Sequence, residues 1–281
     1  MKAVGIVLLN WNGWRDTVEC LASLGKLDYR NFRVVVVDNG SSDHSVPQIR
    51  DLFPAVTVIE MKKNLGFAGG CNVGIRHVLE NGAAYVWLLN NDTTVDAGAL
   101  RAMVEMAEAD PKLGGVGSAI YSTAEVDRLV AWGGGHINFW LGRSRHFLCS
   151  VPNNKIDFLT GASLLLRRAA IESVGLLDEG FFMYWEDGDY CFRLRRAGWT
   201  LGVAGASLVW HKEQGSVGKK SSLLDSHFNR SATRFFARHS PMPVFSIWSG
   251  ITLRIAKRVA SGDWERARDV WASVKGTSLK W

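Results

Sequence analysis

A rhythm of buried-strand and helix patterns over the first 120 residues narrows the fold more than any other feature. Residues 3–9 read AVGIVLL, an unbroken apolar run suited to a strand covered on both faces. Asn12 and Gly13 open a helical stretch to about Gly25. FRVVVVD at 32–38 is a second such strand, followed by a turn and cap in SSDHS and a helix to about Phe53. VTVIE at 56–60 is a third strand, and NLGFAGGCNVG at 64–74 a Gly-rich loop leading into a helix to about Asn81. AYVWLLNND at 84–92 is a fourth strand, before a helix over 97–109 and a strand over 113–120. This alternation predicts an α/β fold with a mostly parallel central sheet flanked by helices.

Beyond residue 120 the pattern loosens. Residues 121–155 read as an irregular or hairpin insertion, 156–168 as a strand, 186–197 as a helix and 199–210 as a final strand. The polar segment 212–222 reads as a mobile loop. A helix over 223–239 carries Arg230, Arg234 and Arg238 on one face, and two short helices follow Pro241 and Pro243. The expected division is a body of residues 1–240, in halves 1–120 and 121–240, with a helical extension at 241–281.

Charge separates body from extension. The chain has 281 residues and a net charge of +6, yet residues 1–210 hold 20 basic and 22 acidic residues while 211–281 hold 13 and 5. A nucleic-acid-binding body would spread Lys and Arg over its main fold, so nucleic acid is not an expected partner. Val244, Trp248, Ile251, Ile255 and Val259 form one helical stripe, with Arg254, Lys257 and Arg258 beside it. Trp with Arg and Lys on an amphipathic helix fits a membrane surface. The same stripe fits packing on the body or on a second subunit of a homodimer, and both readings stay open. No apolar run approaches the ~18–20 residues of a membrane span. Cys20, Cys71, Cys149 and Cys191 stand singly, as in reduced core thiols. The N-terminus runs straight into a strand without a signal-peptide pattern. The expected location is cytoplasmic, or peripheral on the inner face of the cytoplasmic membrane.

In open parallel sheets, ligands sit beyond the carboxyl ends of the strands. Here those ends read Asn10-Trp11-Asn12, Asp38-Asn39 and Asn90-Asn91-Asp92, so three strands deliver polar groups to one edge. No GxGxxG follows the first strand, and no GxxxxGK[ST] occurs. A nucleotide diphosphate bound at this edge therefore calls for a divalent metal as counter-charge.

The segments IVLLNWNG, VVVVDNGSSD, NLGFAGGCNVGI, WLLNNDT, TGASLLLRR, FFMYWEDGDYCFRLRRAGW and VWHKEQGS together closely resemble glycosyltransferase family 2, in its rhamnosyltransferase-like branch. The resemblance covers about residues 3–239, with the motifs in the family's order. It implies an inverting enzyme of the GT-A fold, with a Rossmann-like nucleotide-sugar-binding half and an acceptor half. It implies a dTDP- or UDP-linked sugar donor, with dTDP-L-rhamnose first, and a glycan or polyprenyl-linked saccharide acceptor used in cell-surface polysaccharide synthesis. Asn10, Asn12, Asp38, Asn64, Gly69, Asn72, Asn90, Asn91 and Asp92 would bind the donor, Asp38 through the pyrimidine. Asn90-Asn91-Asp92 stands where the family has Asp-x-Asp; with an amide at the first position, Asp92 is the better ligand for Mg2+ or Mn2+, and His211 would join it.

Inverting transfer needs a base on the acceptor hydroxyl. Trp185-Glu186-Asp187-Gly188-Asp189 gathers acids at a helix start, behind an aromatic segment. The resemblance points to Asp187 as the base, with Glu186 as runner-up or as a ligand for an acceptor hydroxyl. Gly161, Ala162 and Trp185 would complete the acceptor site. Asp189 and Arg193 have the spacing of a structural ion pair. Lys212, Lys219 and Lys220 are candidates for phosphate contact. A nucleotidyltransferase is the rival enzyme class, but it would carry a Gly-rich basic loop after the first strand; a non-catalytic sugar-nucleotide-binding protein is the rival without chemistry.

Overall fold

A computed structural model describes residues 1–125, 127–212 and 222–275. The alternation is present as β1 (Val4–Asn10), α1 (Trp14–Leu24), β2 (Phe32–Asp38), α2 (Ser45–Leu52), β3 (Thr57–Glu60), α3 (Gly66–Glu80) and β4 (Tyr85–Asn90). Next come β5 (Thr93–Val95), α4 (Ala99–Ala109), β6 (Leu113–Ser122), β7 (Leu129–Trp132), β8 (Gly134–Asn138) and β9 (Arg143–His146). β10 (Phe158–Leu159), β11 (Ser163–Arg167), α5 (Arg168–Val174), α6 (Glu186–Arg196) and β12 (Thr200–His211) follow. The last helices are α7 (Ser222–His239), α8 (Pro243–Ala260) and α9 (Trp264–Lys275).

Among the described residues the main sheet has nine strands, in the order β3-β2-β1-β4-β11-β6-β12-β5 with β7 on β6. β3, β2, β1 and β4 run parallel, as do β6 and β12, while β11 is antiparallel between β4 and β6. Both faces are covered. Val7, Val37 and Leu88 pack on α3, while Ile6, Leu8 and Trp87 belong to a second core with Leu21, Leu24 and Leu100 of α1 and α4. The register sets Asn10 opposite Asp38 and Leu9 opposite Asn90, so the polar strand ends meet on one edge. β12 brings His211 to that edge opposite Thr93.

Several elements differ from the sequence pattern. The Gly-rich stretch is helix from Gly66 onward, and its glycines are contact points with the sheet. A Cβ at Gly70 would lie 2.3 Å from Leu9 Cδ1, and one at Gly74 2.3 Å from Val7 Cγ1. The strand expected over 156–168 is two strands, because Thr160-Gly161-Ala162 turns between them. β5 and the helix α5 had no clear periodic signal. Residues 213–221, with Lys219 and Lys220, lie outside the described residues. Lys212 is engaged by Asp16 at 2.7 Å and Glu19 at 2.6 Å, not held ready for phosphate.

α7, α8 and α9 pack on one another and on the body, burying Phe235, Phe236, Ile247, Ile251 and Val270. The expected apolar stripe is therefore divided: Ile251 points inward, whereas Val244 and Trp248 are exposed. The arginine face of α7 is also largely used internally. Arg234 and Arg238 bind Asp178 at 2.9 and 2.8 Å, and Arg238 reaches Asp189 at 3.0 Å. Among the described residues no helix is long and apolar enough to cross a membrane.

Candidate active site

The polar edge is built in layers. Asp38 is buried, and its carboxylate accepts from Asn10 Nδ2 at 2.7 Å, Ser41 Oγ at 2.6 Å and the Ser41 backbone N–H at 3.0 Å. Asn10 was expected to line the donor pocket. It is fully buried, its amide oxygen accepting from Thr17 Oγ1 at 2.8 Å, so its place is to orient Asp38. Asn12 sits exposed at φ 52° and accepts from the backbone N–H groups of Ser42 and Asp43 at 2.8 and 3.2 Å. Asn39, whose role sequence reading missed, is buried and ties down the start of α3. It donates to Asn64 Oδ1 at 2.9 Å and accepts from the Leu65 N–H at 2.9 Å. Asn64 in turn accepts from the Gly66 N–H at 2.8 Å.

Two donor-site candidates, Asn72 and Gly69, are engaged with protein on α3. Asn72 is buried and clamps the segment 177–179, bonding Leu177 through both amide atoms and Glu179 at 2.9 Å. Gly69 is a position inside α3, where a Cβ would meet Leu65 Cβ at 2.9 Å, and forms no loop around a base. The cause is the same for both: a helix at 66–80 turns these groups toward protein.

At the end of β4, Asn91 donates to Thr17 Oγ1 at 2.9 Å. Asp92 and His211 face each other, with Nε2 to Oδ1 at 3.0 Å, and Asn90 Nδ2 lies 3.4 Å from the same imidazole nitrogen. These two strong donors suit a divalent ion that takes its remaining oxygens from a diphosphate and water. Among the described residues no group of three or more His, Cys, Asp or Glu forms a self-sufficient metal cage. The set fits an ion that arrives with its nucleotide.

Asn90 and His211 also line a cleft of about 390 Å3, with Gly161, Ala162, Trp185, Glu186 and Asp187 along its wall. Asp187 Oδ2 accepts from the Gly161 N–H at 2.9 Å and Oδ1 from the Gly188 N–H at 2.7 Å. Burial raises the Asp187 pKa above the ordinary carboxylate value; the two N–H groups and the nearby His146 partly offset this. Glu186 is pushed higher, first by burial and then by the charge of Asp187, and among the described residues its Oε2 has no hydrogen-bond partner. His146 lines the same cleft from β9, a segment whose sequence pattern gave no sign of it.

Tyr184 and Trp185 hold consecutive left-handed conformations, φ 67° and 68°, at the start of α6. Each costs of order 1–3 kcal/mol for a non-glycine residue. An aromatic cluster over-determines them, with Trp185 against Phe235, Phe236 and Phe228 at 4.8, 5.1 and 5.9 Å. Trp185 is thus a buried wall of the cleft. One turn on, Asp189 is fully buried among Arg193, Arg238 and His239 at 2.8, 3.0 and 2.8 Å. Burial alone would raise its pKa, but the His239 and Arg193 hydrogen bonds and the arginine charges hold it below the usual range. Its expected pairing with Arg193 is present.

Residues 5–175 match the family model described as Glycosyl transferase family 2. The chain is 29% identical over 244 residues to an N-acetylglucosaminyl-diphospho-decaprenol L-rhamnosyltransferase of Mycobacterium tuberculosis, covering 78% of this chain and 80% of that protein. It is 28% identical over 213 residues to a low-salt glycan biosynthesis hexosyltransferase of Haloferax volcanii, covering 71% and 64%. Among solved structures it is similar to a mannosyltransferase from Pyrobaculum calidifontis in complex with GDP-Man and Mn2+, with TM-score 0.64 and 17% identity over 99% of this chain and 76% of that one. The complex of GalNAc-T7 with UDP, GalNAc and Mn2+ gives TM-score 0.67 and 14% identity over 84% and 50%. The chain therefore belongs to glycosyl transferase family 2, a glycosyltransferase on the GT-A fold.

Proposed function

We propose that this glycosyltransferase moves a sugar from a nucleotide-diphosphate donor, dTDP-L-rhamnose first and UDP-sugars second, to a saccharide on a polyprenyl diphosphate, with inversion at the anomeric carbon. The observation that carries the reading is the shared cleft: Asp187, fixed by two backbone N–H groups, and the Asn90–His211 edge line one cavity. Asp187 takes the proton of the acceptor hydroxyl. The acceptor oxygen then bonds to the anomeric carbon as the carbon–oxygen bond to the diphosphate breaks, and the nucleoside diphosphate leaves with that electron pair. Mg2+ or Mn2+ held by Asp92 and His211 would neutralise the leaving diphosphate. Asp38 and Asn12 hold the nucleotide end, Asn64 and Asn91 fix the surrounding loops, and Gly161, Ala162 and Glu186 border the acceptor.

Support for rhamnose and for a lipid-linked acceptor comes from the mycobacterial relative, whose name states both. Support for a metal comes from the Mn2+ complexes of the fold neighbours. The domain reading remains 1–240 for catalysis, in donor and acceptor halves, with 241–281 as an extension. That extension presents Phe245 and Trp248, 50% and 42% exposed, beside Trp140 at 64%. We read this aromatic face, in a basic segment, as resting on the inner surface of the cytoplasmic membrane. A thermal-shift screen of dTDP-, UDP- and GDP-sugars with Mn2+, followed by NMR of the product, tests the proposal. Stabilisation by dTDP-rhamnose and an inverted anomeric centre are expected; selective stabilisation by GDP-sugars, or a retained configuration, would overturn it.

A further inference from the structure

Arg254 of α8 carries a positive charge whose nearest carboxylate influence, Asp225, is already paired with two other arginines. Its neighbours Arg258 and Arg266 share Asp225, each at 2.7 Å, and Arg266 also meets Asp263 at 3.4 Å. Among the described residues Arg254 has no carboxylate within ion-pair distance. Its one side-chain hydrogen bond is long, 3.4 Å from Nη1 to the Gly142 carbonyl. Among the described residues the buried Nε atoms of Arg254 and Arg258 have no partner. Burial and then the adjacent Arg258 push the Arg254 pKa down to about 10 against the opposing charge of Asp225, which still leaves it charged at neutral pH. A half-buried guanidinium with like charge beside it destabilises a fold unless something anionic completes it.

The position of this charge indicates what that anion is. The guanidinium lies 5.7 Å from the ring centroid of Phe228, and Phe228 is a wall of the cleft that holds Asp187. Gly142, its hydrogen-bond partner, lies two residues before Ser144, another cleft residue. Asn90 and His211 also line that cleft, so the proposed donor diphosphate and metal have their own place in it. α8 also carries the exposed Phe245 and Trp248. Resting on the lipid-linked reading above, we propose that Arg254, with Arg258 behind it, binds the diphosphate that joins the acceptor sugar to its lipid. Planar guanidinium groups match phosphate oxygens in geometry and remain charged in partly dry surroundings.

The test uses the full chain with dTDP and Mn2+ present, so that the donor side is filled. Binding of farnesyl diphosphate, farnesol, inorganic pyrophosphate and phosphatidylglycerol vesicles is followed by tryptophan fluorescence. The wild type should bind farnesyl diphosphate at least about tenfold tighter than farnesol. Arg254→Met should erase that difference, Arg254→Lys should keep part of it, and pyrophosphate should bind weakly to the wild type only. Vesicle binding should be unchanged in both variants. The ligand-free Tm of Arg254→Met should equal or exceed that of the wild type, because a half-buried charge beside a like charge is removed. Wild-type discrimination by Arg254→Met overturns the site while leaving the lipid-linked reading intact. A parallel loss of vesicle binding assigns the arginine to headgroups, and a fall in Tm together with binding assigns it to structure; either overturns the proposal. A wild type that binds farnesyl diphosphate no better than farnesol, and transfers only to phosphate-free acceptors, removes the lipid-linked reading itself.

Discussion

Asp187 Oδ2 sits 2.9 Å from the backbone nitrogen of Gly161, so the turn between β10 and β11 aims the carboxylate that begins α6. An N–H bond of this kind favours the charged form in a site where burial opposes it. With the Gly188 N–H bond to Oδ1 at 2.7 Å, it holds the carboxylate in one orientation, each oxygen keeping a lone pair for an acceptor hydroxyl.

Asp187→Asn keeps the size of the side chain but removes the base. We expect kcat to fall by about 10^2–10^4, with nucleotide affinity within about twofold of wild type, read by turnover assays and calorimetry. A variant with near-normal turnover would falsify the base assignment.

The Glu186–Asp187 pair gives a pH signature. Both pKa values are raised, first by burial. The acid limb of the pH–kcat/KM profile should therefore lie above the ordinary carboxylate value of about 4. For stability the sign follows from the same shift. A raised folded-state pKa stabilises the fold at low pH, and that contribution is lost as pH rises through the folded value. Tm measured against pH should thus fall less steeply on the alkaline side in Glu186→Gln than in the wild type. Identical slopes would show that Glu186 does not titrate in the fold as described.

Metal binding is checked apart from turnover. With dTDP present, Mn2+ should raise Tm in the wild type and not in Asp92→Ala or His211→Ala. EDTA should stop transfer. If Mn2+ stabilises both variants as it does the wild type, the metal lies elsewhere.

Gly70→Ala and Gly74→Ala place a methyl group against Leu9 and Val7 of β1, at 2.3 Å in each case before relaxation. Overpacking of this kind costs about 1–3 kcal/mol, offset by at most about 1 kcal/mol of gained helix propensity. Urea denaturation should show a net loss for each. Equal or greater stability would mean that α3 can lift from the sheet.

The exposed aromatics are tested by point variants, since truncation at 241 would also strip Ile247, Ile251 and Val270 from the core. Phe245→Ser with Trp248→Ser should weaken binding to anionic liposomes by about tenfold or more and leave the sedimentation profile unchanged. Intact liposome binding with a dimer that dissociates would instead make this face a subunit interface.

The polar edge was legible in sequence because each strand ends in polar residues after a mainly apolar run. Asp38, Asn90 and His211 reach one edge by the register of β1, β2, β4, β5 and β12, and Asp92 lies in the turn between β4 and β5. The 64–74 segment was misread because glycines at 66, 70 and 74 signal both a loop and a helix that must lie close to a sheet. Only contact with Leu9 and Val7 decides between them. His146 and Arg254 were opaque for another reason. A side chain on a short hairpin strand, or one of several arginines on a helix, takes its role from groups far away in sequence. The outward and inward faces of α8 likewise depend on α7 and α9.

Asp189 binds Arg193 of its own helix together with Arg238 and His239 of α7, so α6 and α7 are bolted through one carboxylate. α8 and α9 pack on α7 in turn, so the extension could serve as a jig. If the aromatic face rests on a membrane as proposed, the mouth of the cleft would be held at a fixed height and tilt above it. Acceptors whose reacting hydroxyl lies at another height would be passed over before any contact with the sugar is made. On the proposed function, selectivity for the length of the acceptor's reach would then be set some distance from the chemistry, by how firmly one buried aspartate grips two helices.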